Sequence, residues 1–203
     1  WVWYSLRRGM TMAYYEDRVP QEIKPPQKRR ILLGAAFGSK NGALALRQDI
    51  KHTMQNISNA KWLRIDARRP SKDRLEVKVY KDSVFCVVPK GDSASRRGLS
   101  TCIIYGSIPI VCSDHFVLPY HNILDYSKFS FHIPEAACTS FLKTVENIKK
   151  DVIQSMYAEL LKVRNAFIFI PAKKTNTSIT NNTMKNVPIY VDRNTKSDTF
   201  NNP

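Results

Sequence analysis

The fold is decided by residues 83–135, which read SVFCVVPKGDSASRRGLSTCIIYGSIPIVCSDHFVLPYHNILDYSKFSFHIPE. They open with an uninterrupted apolar run from Val84 to Val88, which ends at Pro89 and predicts a buried strand. Residues 90–93 are polar and contain a glycine, a composition typical of a turn. We therefore expect a buried strand that leads into a loop at its carboxyl end.

A short helix and a second strand are predicted after this turn. Leu99, Cys102 and Ile103 are spaced to lie on one side of a helix, and Gly106 is placed to cap its end. Residues 108–111 are again apolar and predict the next strand. Two parallel strands joined through a helix leave a crevice at their carboxyl ends, where a phosphate can meet the helix N-terminus.

The flanking sequence extends this arrangement in both directions. Apolar runs predict further buried strands, and apolar residues at three- and four-residue steps predict amphipathic helices. The expected fold class is α/β, a Rossmann-like parallel sheet flanked by helices. The additional strands are predicted at residues 30–37, 62–65 and 129–133, and the additional helices within residues 43–57, 141–148 and 153–167.

Composition divides the chain of 203 residues into three parts. Residues 1–29 are predicted to be an irregular N-terminal segment that includes a proline-punctuated linker. Residues 30–171 carry the apolar patterns and are predicted to form the single domain. Residues 172–203 are dominated by Lys, Asn, Thr and Ser, so we expect a disordered polar tail. The sequence starts at Trp1, and we expect further sequence upstream.

The formal net charge of +15 favours an anionic partner. The basic residues form no RNA-binding signature, so nucleic acid is not the expected ligand. A basic module that binds polyanions without catalysis remains an alternative. A solvated basic face explains most of these charges.

The four cysteines show no CxxC spacing and no pairing with histidines, so a metal site is not expected. Our preferred interpretation is that they are buried small hydrophobic residues. Disulfide bonds are the alternative, and the spacing alone assigns no partners. The cysteines are Cys86, Cys102, Cys112 and Cys138.

Seven short motifs within residues 83–135 identify a resemblance through their order and spacing. They are Ser83-x-Phe85-Cys86, Pro89-Lys90-Gly91-Asp92-Ser93, Arg96-Arg97, Gly106-x-Ile108-Pro109, Ser113-Asp114, Leu118-Pro119 and Leu124-Asp125-Tyr126. Together they resemble the exostosin-type glycosyltransferases, and weaker similarity extends the match from about Arg30 to Phe167.

The resemblance implies the C-terminal, nucleotide-sugar-binding half of a GT-B enzyme. Such an enzyme transfers a sugar from a nucleotide sugar, here expected to be a UDP-sugar, to a polysaccharide or glycoprotein acceptor. It requires no metal cofactor, and its N-terminal domain would be supplied by sequence that this chain lacks. The family also implies the lumenal side of the Golgi membrane. Residues 75–80 alternate as a strand would, but the family has a helix there, so we expect helix or irregular structure.

The resemblance also implies a donor-binding site at the crevice. Breaking the bond between sugar and diphosphate develops negative charge, which basic side chains and backbone amides stabilise. The residues implied are Arg47 on the first helix, Gly91, Asp92, Ser93, Arg96 and Arg97 around the central turn, and Thr101 on the central helix. Asp114 follows the next strand, where a crevice residue belongs, and is predicted to bind donor hydroxyls; a turn or cap aspartate is the alternative.

Two positions depart from the family pattern. The family's arginine and its ribose-binding carboxylate would stand at Gly98 and Thr101. The arginine is displaced to Arg97, a rotation of about 100° on a helix, and the carboxylate is absent. This departure favours a second hypothesis, a non-catalytic exostosin-like partner or glycan-binding subunit. The sequence identifies no catalytic base, and we interpret His115 and His121 as structural or exposed.

Overall fold

The computed structural model describes residues 19–38, 43–65, 75–91 and 95–168. Within these ranges the chain forms one five-stranded sheet in the order β2-β1-β3-β4-β5, and every neighbouring pair of strands is parallel. The predicted α/β class is therefore confirmed. The strands are β1 (Ile31–Phe37), β2 (Ala60–Arg64), β3 (Ser83–Pro89), β4 (Ile108–Cys112) and β5 (Phe131–Ile133).

Helices cover both faces of this sheet. Helices α1 and α4 contact each other, and helices α2 and α3 contact each other, while α5 packs against β4. None of the helices in the described ranges has the length and apolar character needed to cross a membrane. The helices are α1 (Leu44–Gln55), α2 (Leu75–Tyr80), α3 (Arg97–Ile104), α4 (Cys138–Thr144) and α5 (Lys150–Val163).

The strands follow directly from the apolar runs. Both faces of a parallel sheet are covered by helices, so its central strands are apolar at every position rather than at alternate positions. All residues of β3 and β4 are buried accordingly. The strand predictions are confirmed, and the observed ends lie within two residues of the predicted ones.

Helix α3 also follows the prediction, and Gly106 ends it. Leu99, Cys102 and Ile103 are fully buried on this helix. Gly106 has φ of +72°, and a Cβ atom added there would lie 2.4 Å from Ile23 Cγ2. A side chain is therefore excluded both by the left-handed backbone and by the segment that packs over it.

Residues 75–80 form helix α2, as the family resemblance implied, despite their alternating pattern. Strands β2 and β3 are both parallel to β1, so the chain must return across the sheet between them. Such a crossover normally contains a helix. The crossover between two parallel strands therefore decides the structure of residues 75–80, although their alternating pattern alone favours a strand.

The preferred interpretation of the cysteines is wrong in one respect. All four are fully buried, as expected, but they form two disulfide bonds, Cys86–Cys102 and Cys112–Cys138. The first joins β3 to α3, and the second joins the end of β4 to the start of α4. Partners 16 and 26 residues apart in sequence become neighbours only through the fold, so spacing could not reveal them.

The amino ends of the strands are fixed by a buried arginine. Arg29 donates to the carbonyl oxygens of Ser83 at 2.6 Å and Tyr105 at 2.9 Å, and to Ser107 Oγ at 3.2 Å. Burial lowers the pKa of this guanidinium from its ordinary value. Arg29 therefore joins the linker to the amino ends of β3 and β4. The predicted tail, residues 172–203, and residues 1–18 of the N-terminal segment lie outside the described residues.

Candidate donor-binding site

The candidate site lies at the carboxyl ends of β1, β3 and β4. Gly91 lies two residues after the end of β3 and is half-buried, at the point where the predicted phosphate-binding turn begins. Asp92 and Ser93 of that turn lie outside the described residues. Helix α3 begins shortly afterwards at Arg97, so its N-terminus faces the same edge of the sheet.

Two of the predicted arginines bridge β1 and β3 at this edge. Arg96 donates through its two Nη atoms to the carbonyl oxygens of Pro89 at 3.0 Å and Ala36 at 2.9 Å. Arg47, which is buried on α1, donates to the carbonyl oxygens of Gly38 at 3.0 Å and Lys90 at 2.9 Å. The strand carbonyls at the edge are thereby covered by two guanidinium groups. Both arginines fix the floor of the crevice and make it positive.

The third predicted arginine, Arg97, is exposed at the first residue of α3. A positive side chain at a helix start is available to an anion that binds the adjacent amides. Thr101 lies one turn further along the helix and is 1% exposed. Its hydroxyl donates to the carbonyl oxygen of Arg97 at 3.2 Å. Arg97 and Thr101 are therefore neighbours on the helix, but only Arg97 is exposed.

Asp114 lies beyond the end of β4 and is exposed. Its Oδ1 accepts a hydrogen bond from the backbone N–H of Glu135 at 3.0 Å, and its own backbone N–H donates to Glu135 Oε1 at 3.4 Å. The same Glu135 oxygen lies 3.3 Å from the ammonium nitrogen of Lys90. These contacts join the ends of β3, β4 and β5 in one charged group.

Lys90 and Glu135 were not among the predicted site residues. Lys90 immediately follows β3, and Glu135 comes two residues after β5. Their positions in the sequence could have identified them, because a charged residue just after a parallel strand lies at the carboxyl edge of the sheet, where ligands bind in such folds. The same argument predicts Asp114, which follows β4.

The two histidines near this edge lie at the surface. His115 and His121 are both exposed, and His121 Nδ1 lies 3.2 Å from the carbonyl oxygen of Leu118. The described ranges contain no group of histidine, cysteine or acidic residues that could hold a metal ion. This edge therefore offers a positive floor, an exposed arginine and a helix start, a combination suited to an anionic ligand.

Several known proteins are similar in sequence to parts of this chain. A probable xyloglucan galactosyltransferase, GT12, of Arabidopsis thaliana is 31% identical over 102 residues, which cover 46% of this chain and 20% of that protein. Exostosin-2 of Mus musculus is 28% identical over 78 residues, covering 38% of this chain and 11% of that protein. A probable xyloglucan galactosyltransferase, GT20, of Arabidopsis thaliana is 26% identical over 152 residues, covering 72% of this chain and 26% of that protein.

The chain therefore matches only a minor part of each of these relatives. Among solved structures, a chain of the GtfA/B complex superposes with a TM-score of 0.47 and 9% identity, covering 78% of this chain and 35% of that chain. The model of the exostosin GT47 domain matches residues 5–148. This chain belongs to the exostosin GT47 domain family, whose relatives include named glycosyltransferases.

Proposed function

We propose that this chain is the nucleotide-sugar-binding half of a GT-B glycosyltransferase, with a UDP-sugar as donor and a polysaccharide or glycoprotein as acceptor. The observation that supports the proposal best is the pair of arginines, Arg47 and Arg96, beneath the carboxyl ends of β1 and β3. A preorganised positive floor stabilises the diphosphate as it leaves the sugar and gains negative charge. The names of the plant relatives, galactosyltransferases and an arabinosyltransferase, agree with sugar transfer.

Each residue of the site has a distinct part in this proposal. Arg47 and Arg96 shape the floor and supply its positive potential, while Arg97 contacts the phosphates directly. The backbone amide of Gly91 approaches the diphosphate, and the same part for Asp92 and Ser93 stays a prediction from the sequence, since both lie outside the described residues. Asp114 accepts hydrogen bonds from hydroxyl groups of the donor. We place the acceptor-binding site and the catalytic base in the N-terminal domain that the family resemblance implies.

The two disulfide bonds support a lumenal location. All four cysteines are paired within the described ranges, and disulfide bonds persist mainly in oxidising compartments. We therefore assign the domain to the lumenal side of the Golgi membrane, in keeping with the family resemblance.

The test is a thermal-shift and calorimetric titration of the whole chain with UDP, GDP, ADP and uridine. A ligand that binds only the folded state raises the melting temperature by mass action. We expect UDP to raise it, and Arg97→Ala to reduce the shift without lowering the melting temperature of the free protein. Lys128→Ala, at an exposed lysine before β5, is the control. A chain that responds to no nucleotide would overturn the proposal.

A non-catalytic role is the second candidate, and Thr101 is the observation that favours it. The residue at the ribose-binding position is buried, and its hydroxyl is bonded to the helix backbone. A glycan-binding partner would need the fold but not the donor. Binding of an oligosaccharide acceptor with no effect of UDP on its affinity would select this alternative.

A further inference from the structure

Lys90 projects from a backbone that is fixed on both sides. Its N–H donates to the carbonyl oxygen of Cys112 on β4 at 2.9 Å. Its carbonyl oxygen accepts from Arg47 Nη2 at 2.9 Å and Nε at 3.2 Å. These hydrogen bonds fix the backbone of Lys90 at the carboxyl end of β3, the central strand of the sheet. The position from which its side chain extends is therefore fixed as well.

The side chain of Lys90 points toward Glu135. The ammonium nitrogen lies 3.3 Å from Glu135 Oε1, and the two side chains are 38% and 23% exposed. An ion pair with this much exposure contributes little to folding stability. Its main effect is to hold the ammonium group in one place.

Glu135 is itself held firmly. It exchanges two hydrogen bonds with Asp114, and Cys138, three residues further along, is bonded to Cys112. Cys112 also accepts the backbone hydrogen bond of Lys90, so lysine and glutamate are positioned by the same residue. This arrangement holds the ammonium group of Lys90 in one place at the carboxyl edge of the sheet, on the residue that precedes Gly91.

We propose that Lys90 binds a phosphate oxygen of the donor's diphosphate, and that the phosphate takes the place of Glu135 as the partner of its ammonium group. This inference rests on the proposed function. A lysine ammonium is a compact charge with three donors, which suits a phosphate oxygen. A diphosphate carries more negative charge than one carboxylate, so the exchange favours the ligand. Arg47 and Arg96 already donate to strand carbonyls. The ion pair between Lys90 and Glu135 is partly exposed, so little free energy is needed to break it.

The experiment compares UDP with uridine by calorimetry on the whole chain. Lys90→Met keeps the aliphatic length but removes the charge, and Glu135→Gln keeps an oxygen that can accept from Asp114. We expect Lys90→Met to weaken UDP binding about tenfold, the loss of one charge-assisted contact. Glu135→Gln should tighten it by about threefold, because the competing carboxylate is gone. Uridine affinity should not change in either variant.

A matched pair of controls is available on α5, where Lys162 and Glu159 form an exposed ion pair. Lys162→Met and Glu159→Gln should leave UDP binding unchanged, and melting curves establish that all four variants fold. Unchanged UDP affinity in Lys90→Met, equal losses for UDP and uridine, or weaker UDP binding in Glu135→Gln would each overturn this inference while the proposed function stands. Failure of the parent chain to bind UDP would overturn both.

Discussion

Arg96 and Arg97 show how adjacent residues of the same type come to act differently. Arg96 precedes α3 in extended conformation and turns its guanidinium inward to Ala36 and Pro89. Arg97 begins the helix and is exposed. Because Arg96 is extended and Arg97 is the first residue of the helix, their side chains leave the backbone in different directions. The sequence shows the pair but cannot show which member turns inward.

This difference predicts opposite effects of substitution. Arg96→Ala removes two hydrogen bonds to the strand carbonyls of Pro89 and Ala36, which should cost about 1–3 kcal/mol of unfolding free energy. Arg97→Ala should change the unfolding free energy by less than about 0.5 kcal/mol, as is usual at exposed positions. Urea denaturation of both variants measures the difference. Equal stabilities would show that the contacts of Arg96 to β1 and β3 do not support the fold.

At the scale of elements, Asp82 joins three parts of the chain. It lies in the turn between α2 and β3, and its two oxygens contact Lys24 of the linker at 2.9 Å and Arg30 before β1 at 2.6 Å. Burial raises the pKa of the carboxyl, but the hydrogen bonds from Lys24 and Arg30 outweigh it and lower the pKa from 3.8 to about 2. The ionised form therefore stabilises the fold.

The sign of this shift sets a pH dependence. Since the pKa is lower in the folded than in the unfolded chain, the contribution of Asp82 is complete above pH 3.8 and is lost as the pH falls toward about 2. We expect Asp82→Asn to have a lower free energy of unfolding than the parent at pH 7. The difference between the two free energies should shrink as the pH falls from 3.8 toward about 2. Urea titrations at several pH values measure it. A difference that stays constant down to pH 2 would contradict the role of the charge.

The elements also show which parts of the structure can be predicted. Strands β3 and β4 were predicted because buried parallel strands are continuous apolar runs, whose limits are visible in the sequence. The disulfide Cys112–Cys138 was not, because its partners meet only after β4 and α4 are placed side by side. The group of Lys90, Asp114 and Glu135 depends in the same way on strand order, since its members follow three different strands.

For the whole molecule, the folded unit extends beyond the part that the family model matches. That match ends at residue 148, yet Leu160 on α5 and Phe167 after it are fully buried. Arg164 donates to the carbonyl oxygens of Ile104 at 2.7 Å and Pro20 at 3.1 Å, which joins the end of α3 to the linker. The segment after residue 148 therefore completes the core and holds the chain where the linker enters.

This arrangement predicts contrasting effects of two truncations. Ending the chain at residue 171 removes a tail of polar composition, and we expect the melting temperature to stay within about 3 °C of the parent. Ending it at residue 148 exposes the surface that α5 and Phe167 cover. Each large apolar side chain that loses its burial costs about 1.5–3 kcal/mol, and a few of them equal the whole stability of a typical domain. The protein that ends at residue 148 should therefore be insoluble, or its circular dichroism spectrum should be that of an unfolded chain. A cooperative melt at the parent's temperature would show that the family domain folds without α5, and a loss of stability at residue 171 would show that the tail contributes to the fold.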